Sequence, residues 1–280
     1  MNRRAFVAGL GAALAAPIGA GAQQAGKIPR IGVLVSGPPP SEHACVLALR
    51  RGLTDLGYME GRTHVLEARW ADGPPEQSLP HFAAELVHLG VNVIVSVTSQ
   101  GLVEAKRVLA PVPVVMAASI YPVERGIIRS LSHPGGNITG MASFTTGMVE
   151  KRMQLLVEAV PLASRVAALR VPGDMNDLVV RDFEKSAQRL GLKLQIIEVQ
   201  KPEDFPAAFG TATRGGAQAI MTAQGPFFHQ HIREIADLAL KHRLPSFSGE
   251  PTASDAGILM TAGASIPASC HRSATFVDAS

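Results

Sequence analysis

From residue 30 onward, short aliphatic runs alternate with longer stretches in which apolar positions recur every three or four residues. A run that is apolar at successive positions suits a strand covered on both faces, whereas three-to-four spacing suits a helix burying one stripe. The runs predict strands at 30–35, 65–70, 91–97 and 112–117, each read as apolar on both faces. Helices are predicted between them at 41–57, 76–89 and 101–109. In the first, Ala44, Leu47, Ala48, Leu53 and Leu56 form the stripe, with Ser41 as cap and Gly57 as stop. Ser132-His133-Pro134-Gly135-Gly136-Asn137 is a dense turn signal that marks a crossover. The alternation then restarts: helix 146–160, strand 165–171, helix 174–190, strand 193–199, helix 203–213, strand 217–222, helix 227–242, and short strands at 245–248 and 258–261. Strands alternating with helices imply an α/β chain with parallel sheets flanked by helices, in two halves that match in pattern but not in residues.

The segment before this pattern changes where the chain is expected to work. Arg3 and Arg4 precede an uncharged apolar run that ends in Ala20-Gly21-Ala22. A basic start, apolar middle and small residues at the last and third-last positions make an export signal, residues 1–22, cleaved after Ala22. The stretch Asn2 to Val7 also resembles a twin-arginine signal, so either the Sec or the twin-arginine route fits. A retained membrane anchor fits less well, because the run is short, glycine-rich and broken by Pro17. With no cysteine at the cleavage point, the product is expected to be soluble and outside the cytoplasm. Cys45 and Cys270 could pair in an oxidising compartment, but two thiols so far apart in sequence fit isolated buried cysteines better.

Composition narrows the partners. A chain of 280 residues with 46% hydrophobic and 18% charged residues supports real cores, in two modest domains. Lys and Arg number 26 against 23 Asp and Glu, and loss of Arg3 and Arg4 with the leader brings the balance to 24 against 23. Without a basic run, the electrostatic footprint of nucleic-acid binding is missing. No Gly-x-Ser-x-Gly, Gly-x-x-x-x-Gly-Lys-Ser/Thr or His-Glu-x-x-His occurs. His229 and His231 would point about 200° apart on a helix and cannot share a metal. Asp174 and Asp177 read as carboxylates at a helix start. No catalytic group, metal site or cofactor is expected.

What recurs is a small or polar cluster just after a strand: Ser36-Gly37, Thr98-Ser99-Gln100, Ser119-Ile120-Tyr121, Pro172-Gly173-Asp174, Gln224-Gly225-Pro226 and Ser248-Gly249-Glu250. Any one could be only a cap or turn. Together they lie at the carboxyl ends of parallel strands, where hydroxyls and free helix amides bind ligands.

The residues also carry a resemblance. The marks are Ile31-Gly32-Val33-Leu34, Leu56-Gly57-Tyr58-Met59-Glu60-Gly61-Arg62, Arg69-Trp70-Ala71-Asp72-Gly73, His133 to Gly140, Lys151-Arg152 and Pro226-Phe227-Phe228. In order and spacing, most of the chain resembles the solute-binding proteins of ABC-type importers, in the group related to aromatic-amino-acid binders. The resemblance implies a two-lobed periplasmic-binding-protein fold of the first type. Residues 28–144 with 258–280 would form the first lobe and 145–257 the second. It implies a periplasmic monomer that captures a small solute, such as an amino acid or organic acid, and delivers it to a membrane permease. The candidate ligand residues are Ser36, Thr98, Ser99, Ser119 and Tyr121 from the first lobe, and Ser143, Phe144, Asp174, Gln224 and Glu250 from the second. Hydroxyl and amide donors would hold a ligand carboxylate, Asp174 or Glu250 a ligand ammonium, and Phe144 or Tyr121 an apolar part. Tyr121-Pro122-Val123 and Thr261-Ala262-Gly263 depart from the family pattern of Asp-Pro-Val and Ser-Tyr-Gly. The family also continues beyond a helix beginning near Ala268, so the first lobe is expected to be incomplete at its C-terminal end. Alternatives are an enzyme on the same scaffold, a sensor subunit, or a shortened remnant that binds nothing.

Overall fold

The computed structural model describes residues 28–36, 44–71, 75–97, 99–108, 112–172 and 174–279. The expected leader, Ser41 and Thr98 lie outside them. Two five-stranded parallel sheets form the frame. The first contains β1 (Arg30–Ser36), β2 (Val65–Ala71), β3 (Val93–Ser96), β4 (Val114–Ile120) and β5 (Ile138–Phe144), in the order β2-β1-β3-β4-β5. The second contains β6 (Arg165–Arg170), β7 (Lys193–Glu198), β8 (Ala219–Thr222), β9 (Ser246–Ser248) and β10 (Met260–Thr261), in the order β10-β9-β8-β6-β7. Parallel neighbours need crossovers. Helices α1 (Ala44–Asp55), α2 (Pro75–His88) and α3 (Ser99–Val108) serve the first sheet. Helices α4 (Met148–Ala159), α5 (Asp174–Arg189), α6 (Phe205–Arg214), α7 (Pro226–Gln230) and α8 (Ile232–Lys241) belong with the second.

Side-chain alternation sends the two faces of each sheet into different cores. Along β1, Ile31, Val33 and Val35 pack with Val46, Leu49 and Leu53 of α1, while Leu34 packs with Leu79, Ala83 and Leu86 of α2. In the second sheet, Ala167, Leu169 and Ile220 meet α6 and α8. Val166, Ala168, Ala219 and Met221 meet Val149, Met153 and Leu156 of α4 and Phe183 of α5.

Three expectations are corrected. First, β2 is not apolar on both faces: it is an edge strand, with Leu66 buried and Glu67 and Arg69 half-exposed. Its charges pair across the surface, Arg30 to Glu67 at 2.8 Å and Arg69 to Glu85 at 2.8 Å. Second, 227–242 is not one helix. His231 leaves helical geometry between α7 and α8, and its ring packs 5.2 Å from Phe227 and 5.9 Å from Phe205. Third, β5 was not expected at all, because Thr139, Gly140, Ala142 and Ser143 dilute its apolar signal.

After β10 the chain returns to the first sheet as α9 (Ile266–Asp278), which lies against α1. Cys45 and Cys270 are joined by a disulfide with a Cα–Cα distance of 5.3 Å, so the reading as isolated thiols is overturned. The sequence separation of 225 residues hid a contact that helix packing creates. The seat is close: a Cβ on Gly52 would lie 2.2 Å from the His271 carbonyl oxygen. Tyr58 Oη donates to Asp278 Oδ1 at 2.6 Å, and His271 Nε2 lies 2.8 Å from Asp55 Oδ2.

Candidate functional site

The carboxyl ends of β3, β4 and β5 are knit together by serines. Ser99, the first residue of α3, accepts the Ile120 amide at 2.7 Å and lies 3.1 Å from Ser119 Oγ. Ser143 Oγ donates to the Ser119 carbonyl at 3.3 Å. All three serines are buried. The β4–β5 register shifts on either side of Ser119. Ser143 and Phe144, grouped by the sequence reading with the second lobe, thus end a strand of the first sheet.

Immediately after β4, Tyr121 adopts φ 49°, a left-handed conformation rare outside glycine. Its ring meets Phe144 edge-on at 5.2 Å. Both rings sit in the core of the second sheet, with Val149, Met153 and Phe247. The first sheet therefore inserts two aromatic side chains into the second half of the molecule. Tyr121 Oη donates to Asp182 Oδ2 of α5 at 2.8 Å. Burial, followed by this hydrogen bond, drives the phenol pKa well above its ordinary value. Burial also raises that of the Asp182 carboxyl, against the hydrogen bonds from Tyr121 and the Gly147 amide.

On the second sheet, the loops after β8 and β9 converge. Glu250, only 8% exposed, accepts the Gly225 amide at 2.7 Å, and its other oxygen lies 3.5 Å from His229 Nδ1. Burial raises its pKa, opposed first by the Gly225 hydrogen bond. Ser248 Oγ accepts both the Glu250 amide at 3.1 Å and Thr222 Oγ1 at 3.0 Å. Gln224 Nε2 donates to the Ala264 carbonyl at 2.9 Å, tying down the segment after β10.

Between these groups lies Arg152 of α4, which the sequence reading noted only within a family mark. It is 3% exposed, and its guanidinium carbon sits 4.6 Å above the centre of the Phe144 ring. Burial lowers its pKa to about 10, leaving it charged at neutral pH. Arg152 and Asp182 were missed because each lies on a helix rich in charges, where a polar residue reads as solvent-facing. The Lys151-Arg152 mark was the available signal.

Of the ten candidates, the fold joins Ser99, Ser119 and Ser143 into one cluster, Tyr121 and Phe144 into a second, and Gln224 and Glu250 into a third. Ser36 ends β1 and Asp174 opens α5, while Thr98 falls outside the described residues. Among the described residues, no group of three or more His, Cys, Asp or Glu is placed to hold a metal ion.

Residues 30–270 match the family model described as ABC transporter substrate binding protein. The chain belongs to that family. This substrate-binding protein is 25% identical over 134 residues to a tyrosine-binding protein of Clostridioides difficile, a match spanning 47% of this chain and 37% of that relative. Its fold is similar to that of a conserved domain protein from Vibrio cholerae, with TM-score 0.74, 22% identity, and 90% of this chain and 84% of the other covered. It is also similar to an ABC domain from Streptococcus pneumonia in complex with L-Trp, with TM-score 0.72, 18% identity and the same coverages. The two parallel sheets flanked by helices are those of a periplasmic-binding-protein-like fold of the first type, as the family resemblance implied.

Proposed function

We propose that this substrate-binding protein captures a small aromatic carboxylate, with an aromatic amino acid as the first choice, and delivers it to an ABC-type import permease. Family membership over residues 30–270 carries the reading. It is supported by the tyrosine-binding relative, by the neighbour holding L-Trp, and by hydroxyls, amides and aromatic rings gathered at strand carboxyl ends. The proposed lobes are 28–144 with 258–280, and 145–257. A solute contacted by both lobes favours their closed arrangement, which is the state a permease can recognise. Among the described residues no helix is long and apolar enough to cross a membrane. The proposed leader at 1–22 would export the protein, and N-terminal sequencing of exported protein should start at Gln23.

Thermal melting against a panel of aromatic and branched amino acids and organic acids tests the reading. A solute bound only by the native state stabilises it by about 2.7 kcal/mol at a hundredfold excess over Kd. The shift should grow with solute concentration. A panel that gives no shift, with turnover of some solute instead, would replace binding by catalysis.

A further inference from the structure

Resting on that reading, we infer that Arg152 is the anchor for the solute's carboxylate and therefore sets the ligand class. The guanidinium is almost fully enclosed, yet among the described residues its Nε and Nη2 atoms have no hydrogen-bond partner. A buried cation with unmet donors is among the least favourable arrangements in a folded protein unless an anion completes it. The chain offers none in contact: among the described residues, no carboxylate forms an ion pair with Arg152 within 4.0 Å. The two carboxylates that favour its charge from farther away are already engaged, Asp182 with the Tyr121 hydroxyl and Glu250 with the Gly225 amide.

Placement agrees with this role. Arg152 stacks on Phe144 at the end of β5, and stacking uses the face of the guanidinium while leaving its in-plane N–H groups for a planar, two-oxygen acceptor. The backbone beside it belongs to Gly249 and Gly263, just past β9 and β10. A Cβ on Gly249 would lie 2.8 Å from Nη1, and one on Gly263 would lie 3.5 Å from Nη2. Glycine backbone rather than a side chain closes this side of the guanidinium, so a carboxylate reaches the fork when the segments after β9 and β10 draw back. The donors thus stand at the carboxyl ends of β5, β9 and β10.

The test compares acids with their neutral counterparts. Full-length protein is titrated with L-tyrosine, L-tryptophan and benzoate, and with the corresponding primary amides, by calorimetry and thermal melting. Binding of an acid at least roughly tenfold more tightly than its amide is expected, from loss of a charge-assisted hydrogen bond. Arg152→Met should bring acid and amide affinities to within about threefold of each other, whereas Arg152→Lys should keep part of the preference. A purely structural Arg152 would weaken both ligands alike and leave their ratio unchanged, which overturns the inference. If Arg152→Met does not fold, the acid-to-amide ratio of the unsubstituted protein decides, and equal affinities overturn it. Binding confined to neutral sugars or polyols in a parallel panel would leave solute binding standing and remove this inference. Binding of nothing in either panel would remove both.

Discussion

The Tyr121 hydroxyl donates a 2.8 Å hydrogen bond to Asp182, linking the end of β4 in the first sheet to α5 beside the second. The tyrosine is 2% exposed and held at φ 49°, a local backbone cost set against this hydrogen bond and the packing of its ring on Phe144.

Tyr121→Phe should leave the buried Asp182 carboxylate with one donor fewer and cost about 1 to 3 kcal/mol. At about 2 to 4 °C per kcal/mol, the loss is readable in a thermal melt at pH 7. A double-mutant cycle with Asp182→Ala, which leaves no acceptor for the hydroxyl, should be less than additive, since either change removes the same contact. Full additivity would mean that the contact contributes nothing.

Reduction of the Cys45–Cys270 disulfide should destabilise the protein by about 2 to 5 kcal/mol, because it ties α9 to α1 across most of the chain. Hydrogen exchange after reduction should rise first in α9 and in the face of α1 beneath it. An unchanged melting temperature in dithiothreitol, or in a Cys45→Ser/Cys270→Ser variant, would contradict this.

Gly52→Ala tests the same seat without touching sulfur. The added methyl would fall 2.2 Å from the His271 carbonyl and about 3.0 Å from Ala274 Cβ, so the helices must separate. A loss of about 1 to 3 kcal/mol in denaturant unfolding is expected. Wild-type stability would show that α9 is loosely held.

His64 supplies a pH dependence. It is 2% exposed, neither ring nitrogen has a partner among the described residues, and burial lowers its pKa, with Glu60 opposing and Arg50 adding to the shift. The unfolded chain therefore takes up the proton more readily than the native one. The contribution is present in full above the unfolded value, about 6.5, and is lost progressively as pH falls from there toward the lowered native value. Asp182 and Glu250 act in the opposite sense: their raised values favour the native state at low pH and cease to do so as pH rises through them. His64→Leu should flatten the decline in stability between pH 7.5 and 5.5 while leaving the carboxylate effect in place. An unchanged slope would exclude His64 as its source.

Legibility followed the local physics. Strands such as β1 and β6 stood out because both faces of a parallel strand are buried and the run is continuously aliphatic. Where burial was one-sided, as at β2, or where small polar residues interrupted the run, as at β5, the pattern misled or fell silent. Within the site, Ser99, Ser119 and Glu250 were visible as polar residues directly after strands, whereas Arg152 and Asp182 looked like ordinary charges on helix surfaces.

By itself, the sequence determined the alternation of strands and helices, the parallel α/β class and which turns carry polar groups, because these depend on spacing within a few residues. Tertiary structure alone decided that Cys45 meets Cys270, that Tyr121 reaches Asp182, and that Arg152 is buried over Phe144. The first two join residues distant along the chain, the third joins the end of a strand to the helix that follows it, and their energies come from burial and charge in a shared interior that no local pattern encodes.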